Sequence, residues 1–303
     1  MKELVVISGK GGTGKTSITA ALAALAGSAV IADCDVDAPD LHLVLSPDIK
    51  RREVFKSGHM AVIREEDCLV CGACKDDCRF HAVRAVRDNG RPSAFRIDPV
   101  SCEGCGVCVH FCPAQAIDFP DRVCGQWLVS ETRFGTMLHA QLSIGAENSG
   151  KLVALLRKEA RRIAAEAGDP LIIIDGPPGL ACPVIASVTG ASLVLVVIEP
   201  TLSGMHDVER ILGLTGHFGI PSLLCVNKWE LNPQIAKEIE ENAQSAGAAV
   251  AGRVCYDRSV TDAQIKRKTV VEYGGRAAED IKNLWRHLEN RLKLNYLDAV
   301  MQV

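Results

Sequence analysis

Apolar positions follow two different rhythms along the chain. Residues 3–8 ("ELVVIS") form a continuous apolar run that enters a glycine-rich loop, which predicts a buried strand. Residues 15–27 ("KTSITAALAALAG") predict a helix stopped by Gly27, and residues 29–35 ("AVIADCD") a second strand. The runs at 170–179 ("PLIIIDGPPG"), 192–200 ("SLVLVVIEP") and 221–229 ("PSLLCVNKW") are again apolar without alternation. Strands with no polar face are buried on both sides, the condition of a parallel sheet covered by helices. Residues 150–168 carry Leu152, Leu155, Leu156 and Ile163 on one helical face, and residues 277–294 carry Ile281, Leu284, Leu288 and Leu292 on another.

Between these segments the rhythm breaks. From about Gly58 to Pro120 the sequence is rich in cysteine and loop residues, and Asp88-Asn89-Gly90 between two alternating runs predicts a hairpin. The expected architecture is therefore α/β, with a mostly parallel sheet interrupted by a small α+β domain. The expected boundaries are 1–57 for the first part of the core, 58–121 for the insertion and 122–303 for the second part.

Charge narrows the function. The formal net charge is −3, from 34 basic and 37 acidic residues, so no basic excess points to nucleic acid. The opening "MKELVVIS" lacks the pattern of a signal peptide. The longest uncharged stretch, residues 16–32, is broken by Gly27 and Ser28 and is short for a membrane span. A cytoplasmic protein without stable membrane insertion is expected. Of its thirteen cysteines, nine lie between Cys68 and Cys124, and such clustering without an export signal suggests metal rather than disulfides.

Two sets of residues carry chemistry. The first is the loop "SGKGGTGKTS". Gly9, Gly11, Gly12, Thr13 and Gly14 let backbone N–H groups converge on phosphates, and the following helix points its positive end there. Lys15 reaches the β- and γ-phosphates, and Thr16, beside Ser17, offers a hydroxyl to Mg²⁺. Asp175, ending the strand "LIIID", fits the role of holding Mg²⁺ through water. The second set is a duplicated spacing, C-x₂-C-x₂-C-x₃-C: Cys68, Cys71, Cys74 and Cys78, then Cys102, Cys105, Cys108 and Cys112. Two copies form the bacterial ferredoxin signature, in which the fourth cysteine of each run ligates the other cluster. Cys68, Cys71, Cys74 and Cys112 are then expected to hold one 4Fe–4S cluster, and Cys102, Cys105, Cys108 and Cys78 the second. Structural zinc also uses paired cysteines, but rarely this spacing twice. The first run departs from the pattern by having Arg79 where the second has Pro113.

The run "KGGTGKT" resembles the deviant Walker A motif of the MinD/Mrp/ParA class of P-loop ATPases, to which the nitrogenase iron protein also belongs. The resemblance implies that Lys10 reaches across a nucleotide-sandwich dimer to the partner's phosphates, as an arginine finger would. It implies that "DCDVDAPDLH" is switch I, with Asp35 near Mg²⁺ and the attacking water, although Asp33, Asp37 and Asp40 compete for parts of that role. It makes "DGPPG" switch II, and places Asn227, followed by Lys228, against adenine; a plain strand-ending turn is the alternative. With the cysteine motifs, the chain resembles MinD-type ATPases that carry an inserted ferredoxin domain, and "SETRFGTMLHAQLSIGAENSGKLV" resembles their connector back to the core. His139 in that connector is either packed or in touch with nucleotide or partner. Cys34, Cys225 and Cys255 read as buried fillers, and Cys124 is open. Cys182, seven residues after Asp175, resembles in spacing the bridging-cluster cysteine at the dimer interface of the nitrogenase iron protein, or is an unreactive loop residue.

The resulting expectation is an ATPase, slow without a partner, that binds ATP or ADP, Mg²⁺ and two 4Fe–4S clusters. It would pair with itself or a related ATPase and exchange electrons with a redox protein. An iron–sulfur assembly or carrier ATPase of the Mrp type, or a MinD/ParA-like positioning ATPase, are the alternatives.

Overall fold

The computed structural model describes residues 2–143, 145–146, 150–168 and 171–301, with side chains described through residue 293. Pro170 of the predicted strand and residues 144 and 147–149 of the connector lie outside the described residues. The strands before the cysteine-rich region are β1 (Lys2–Ser8), β2 (Val30–Asp33) and β3 (Asp48–His59). Within it are β4 (Val62–Ile63), β5 (Val83–Asp88), β6 (Arg91–Ile97) and β7 (Ile117–Asp118). After it come β8 (Asp121–Thr132), β9 (Gly135–Leu142), β10 (Leu171–Pro178), β11 (Leu193–Ile198), β12 (Ser222–Asn227) and β13 (Ala249–Val254).

Among the described residues these form a nine-stranded sheet in the order β13-β12-β11-β1-β10-β2-β9-β8-β3, with two small two-stranded sheets, β4-β7 and β5-β6. Strand β1 pairs in parallel with β10 and β11, and the parallel ladder continues to β13 on one side and through β2 to β9 on the other. The apolar runs are buried at every position from Leu193 to Ile198 and from Leu4 to Ile7, as a sheet covered on both faces requires. The helix predicted over 15–27 spans Lys15–Ala26, with Gly27 at its end at φ 75°, and fully buries Ile18 and Leu22. The last helix spans Arg276–Met301, longer than its apolar stripe indicates. Among the described residues no helix is long and apolar enough to cross a membrane.

Strands β3 and β8, and the β9 pairing, go beyond the hydrophobic pattern. Only Phe55 of the twelve residues of β3 is buried, so it carries no apolar run. Strands β8 and β9 are joined by Arg133 and Phe134 alone, a connection that only an antiparallel pair permits. Strand β9 then lies parallel to β2, with Ile31 opposite Met137 and Ala32 opposite Leu138.

The chain forms two compact units. The first comprises Met1–Glu53, Trp127–Gln141 and Asn148–Val303; the second comprises Val54–Gln126 and Leu142–Glu147. Strands β3 and β8 therefore each run from one unit into the other. The second unit contains the predicted hairpin: β5 and β6 flank Asn89 at φ 47° and Gly90 at φ 83°, the pair of positive angles that a two-residue type I′ turn needs.

Candidate functional site

In the first unit a cavity of about 970 Å³ opens over the P-loop, at the upper end of the range for ligand sites. Residues 11–17, Asp35, Asp37, Asp40, Asn227 and Lys228 line it. Gly14, at φ 88°, cannot carry a side chain, because a Cβ there would lie 2.3 Å from Asn227 Nδ2. Thr13 Oγ1 is buried in the loop without a hydrogen-bond partner, an orphaned donor and acceptor of the kind a phosphate satisfies.

Beneath the loop is a knot of charge. Lys15 Nζ lies 2.8 Å from Asp175 Oδ1 and 3.3 Å from Asp35 Oδ2. Thr16 donates to Asp175 Oδ2 at 2.7 Å, and Thr19 donates to Oδ1 at 2.9 Å. Thr19 is a partner that the motif does not announce. Burial alone would lower the Lys15 pKa, but the Asp175 and Asp35 carboxylates outweigh it and hold the ammonium above its ordinary value. Burial pushes Asp35 up while Lys15 pulls it back. Asp33 is pushed well up, by burial and then by Asp175, although its carboxylate accepts the N–H groups of Asp35 and Leu41. Of the acids at positions 33, 35, 37 and 40, Asp35 is thus the one that reaches both Lys15 and the cavity, whereas Asp33 braces the backbone of its loop.

Asn227 lines the cavity and is held there by protein groups. Its Nδ2 donates to Thr13 O at 2.7 Å, and its Oδ1 accepts the Lys228 N–H. Lys228 Nζ donates to Gly12 O at 3.2 Å and to Glu199 Oε1 at 2.5 Å. The pair clamps the end of β12 to the P-loop. Lys10 is outside the cavity lining: its Nζ donates to Thr201 Oγ1 at 3.3 Å and Ser203 Oγ at 3.4 Å, with Glu199 Oε2 at 3.9 Å. Asp207 packs over Gly9, where a Cβ would meet it at 2.2 Å. Nothing in the loop motif points to Glu199, Thr201, Ser203 or Asp207.

In the second unit the two cysteine runs fold alike. Gly72 and Gly106 take φ 85° and 76° before short helices at Ala73–Asp76 and Val107–His110, and His81 and Gln115 take φ 52° and 50°. Two cavities result. Cys68, Cys71, Cys74 and Cys112 line one, with Leu69, Phe95 and Pro113. Cys78, Cys102, Cys105 and Cys108 line the other, with Phe80, Glu103 and Phe119. The backbone N–H of Ala82 donates to Cys78 Sγ at 3.3 Å, and that of Ala116 to Cys112 Sγ at 3.4 Å. Burial and then the neighbouring thiols push Cys74 up to about 11, and Cys108 is raised by burial and by Cys102, Cys105 and Cys78. Such thiols ionise when cationic iron offsets their mutual repulsion. Each cavity is thus ringed by four thiols, three from one run and one from the other, which is the donor number and sharing that a ferredoxin-type 4Fe–4S cluster takes.

The other singled-out residues, Cys182 excepted, are packed. His139 is buried, accepts or donates one hydrogen bond with Ser130 Oγ at 2.8 Å, and is pulled down to about 4 by burial and His42, so it is neutral. Cys34, Cys225 and Cys255 are buried, and burial pushes the thiols of Cys225 and Cys255 up to about 12. Cys124 is buried with its thiol on Ser57 O, and Cys182 is exposed.

A nucleotide-binding α/β protein is the class that this sheet, loop and charge knot define. The chain belongs to the family described as the CobQ/CobB/MinD/ParA nucleotide binding domain, which matches residues 4–270. It is 35% identical over 234 residues to the uncharacterized protein MJ0578 of Methanocaldococcus jannaschii, covering 76% of this chain and 79% of that one. It is 34% identical over 64 residues to Ferredoxin-1 of Chlorobaculum tepidum, covering 19% of this chain and 95% of the ferredoxin. Its fold is similar to that of the septum site-determining protein MinD, complexed with Mg-ADP, from Pyrococcus horikoshii. The TM-score is 0.59 at 15% identity, over 97% of this chain and 98% of that one.

Proposed function

We propose that the protein hydrolyses ATP as a nucleotide-sandwich dimer and couples this to electron transfer through two 4Fe–4S clusters. The observation that carries the reading is the pair of separate cavities, each ringed by three cysteines of one run and the fourth cysteine of the other. That is the donor arrangement of ferredoxin-type clusters, in a chain that also bears a P-loop. When bound, each cluster supplies a one-electron carrier. Cys68, Cys71, Cys74 and Cys112 hold the first and Cys102, Cys105, Cys108 and Cys78 the second. The Ala82 and Ala116 N–H groups offset thiolate charge on Cys78 and Cys112. Eight such thiolates suit stable redox centres better than a cluster in transit to another protein, which favours electron transfer over cluster assembly.

At the nucleotide site the backbone N–H groups of residues 9–14 take the phosphates, and Lys15 turns from Asp175 and Asp35 toward the β- and γ-phosphates. Thr16 and Asp175 hold Mg²⁺, Asp35 orients water, and Asn227 and Lys228 stiffen the loop beside the base. Lys10 leaves Glu199, Thr201 and Ser203 to reach the other chain's phosphates. The protein is cytoplasmic, the other chain is a second copy or a related ATPase, a redox protein supplies or receives the electron, and turnover is slow without a partner. Lys10→Ala is expected to keep nucleotide binding within a few-fold. It should abolish ATP-dependent dimerisation and slow hydrolysis about 10³-fold or more, as loss of an arginine finger does. Light scattering and phosphate release measure both, and unchanged turnover would remove the trans role.

The coupling itself is tested by redox titration followed by EPR, on anaerobically purified protein containing about eight irons. Titrations are run with ADP, with a non-hydrolysable ATP analogue and without nucleotide. Coupling free energies of about 1–3 kcal/mol correspond to about 40–130 mV for a one-electron couple. Superimposable curves at confirmed nucleotide occupancy would sink the reading.

A further inference from the structure

The two cysteine cavities differ in what holds them. Strands β3 and β8 carry the chain between its two units, and within the second unit both end on the Cys102–Cys105 loop. The last residue of β3, His59, lies with its carbonyl oxygen 2.3 Å from where a Cβ on Gly104 would stand, so that only glycine fits. At the start of β8, Arg122 spreads its guanidinium over three carbonyl oxygens. It donates to Cys102 O at 3.2 Å, to Pro99 O at 3.0 Å and to Gly145 O at 3.1 Å. Gly145 belongs to the segment that re-enters the second unit after β9. One side chain therefore joins a ligand of the second cavity to two segments whose continuations, β8 and β9, lie in the nucleotide-binding sheet.

Arg122 also brings a positive charge to the backbone of the second cavity's cysteine run. None of the three Arg122 bonds goes to a carboxylate. At the first cavity Arg64 donates to Gln115 O, three residues beyond Cys112, but its charge is met by Asp67 and Asp118. Arg84 and Arg96 are likewise paired, with Asp98 and Glu65. A cation with no acidic partner among the described residues, held on the carbonyl of a ligating cysteine, favours the electron-rich state of whatever that cysteine binds. Arg122 itself stands in β8, and one of its three acceptors, Gly145 O, follows β9 by three residues.

We propose that Arg122 is a positioning residue for the cluster held by Cys78, Cys102, Cys105 and Cys108. It raises that cluster's reduction potential and makes it, rather than the other, respond to nucleotide. This rests on the cluster-bearing, nucleotide-gated reading above.

The test uses the full-length protein, reconstituted anaerobically and titrated with dithionite, each cluster taking up one electron. Wild type, Arg122→Gln and Arg122→Lys are compared without nucleotide, with ADP and with a non-hydrolysable ATP analogue. The Cys112→Ser chain identifies which reduction step belongs to the second cluster. Arg122→Gln is expected to lower that step, with the reduced-to-oxidised ratio at fixed potential falling at least threefold. That is about 28 mV at 59 mV per tenfold. It should leave the other step in place and remove the nucleotide response. Arg122→Lys keeps the charge but not the planar fork that bridges three carbonyls. It should restore the potential without restoring the response, which a merely structural role would not produce. If Arg122→Gln fails to load iron, the Arg122→Lys response decides. Unchanged potentials in a variant with full iron, a nucleotide shift that survives both substitutions, or a shift confined to the first cluster each overturn the proposal. A loaded wild type with no nucleotide shift at all overturns the gated-carrier reading together with it, and is distinct from those outcomes.

Discussion

Lys15→Ala is expected to destabilise the nucleotide-free protein by about 3–5 kcal/mol, in addition to removing triphosphate binding, because it leaves buried charge without a partner. The Lys15 side chain is 6% exposed and that of Asp175 is fully buried, 2.8 Å away. Asp35, 3.3 Å from the same ammonium, is 12% exposed, and Asp33 adds a third carboxylate to the cluster. Thr16 and Thr19 still donate to Asp175 in the variant, but hydroxyl dipoles do not replace a cation. Adding Asp175→Asn should recover much of the loss, so that a double-mutant cycle shows strong coupling between the positions. The pH dependence has a definite sign. Burial already raises the folded-state pKa values of Asp33 and Asp35, and without Lys15 they rise further above the unfolded ones, because the ammonium no longer opposes burial and mutual repulsion. The penalty is therefore absent at pH values low enough to protonate them and grows as pH rises through the raised folded-state values. Urea unfolding without nucleotide measures it, and a Lys15→Ala chain within about 1 kcal/mol of wild type at pH 8 would show that the carboxylates were never relying on the ammonium. Binding assays on this variant consequently need a parallel measurement of folding.

The reach of the sequence can be judged from particular residues. The P-loop and the strands around it were legible because the chemistry is local: consecutive glycines, one lysine, one threonine and apolar runs buried on both faces. The cysteine runs were legible for the same reason, since the spacing sets which thiols can share a cavity. Strand β3 was not, because only Phe55 of its twelve residues is buried and it makes no apolar signal. Partners far apart in sequence were equally invisible. Thr19 meets Asp175 across 156 positions, and Asn227 meets Thr13 across 214. Asn227 illustrates the limit: its position at a strand end is readable, but only the folded chain shows its amide committed to the P-loop carbonyl. Lys10 illustrates another: the resemblance of its motif implies a role toward a second chain, whereas its neighbours in a single chain are Glu199, Thr201 and Ser203.

Cys112→Ser is expected to remove the cluster held with Cys68, Cys71 and Cys74 and to spare the one whose other ligands, Cys102, Cys105 and Cys108, precede it in its own run. Iron should fall from about eight to about four per chain, and one of two EPR-visible reduction steps should vanish. Cys112 lines its cavity with the first run, beside Pro113, and its sulfur accepts the Ala116 N–H at 3.4 Å. Cys78 stands in the mirror position, lining the second cavity and accepting the Ala82 N–H at 3.3 Å. Cys78→Ser should therefore remove the other reduction step, and the two variants together should leave little bound iron. The expected pattern depends on exchange between the runs: a chain ligating each cluster from one run alone would show the same halving of iron with the steps interchanged. The steps can be told apart independently of Cys78 and Cys112. Cys71→Ser must abolish the same step as Cys112→Ser, and Cys105→Ser the same step as Cys78→Ser. If Cys112→Ser instead matches Cys105→Ser, the cross-ligated assignment is wrong, and the thiols that share a cavity do not share a cluster.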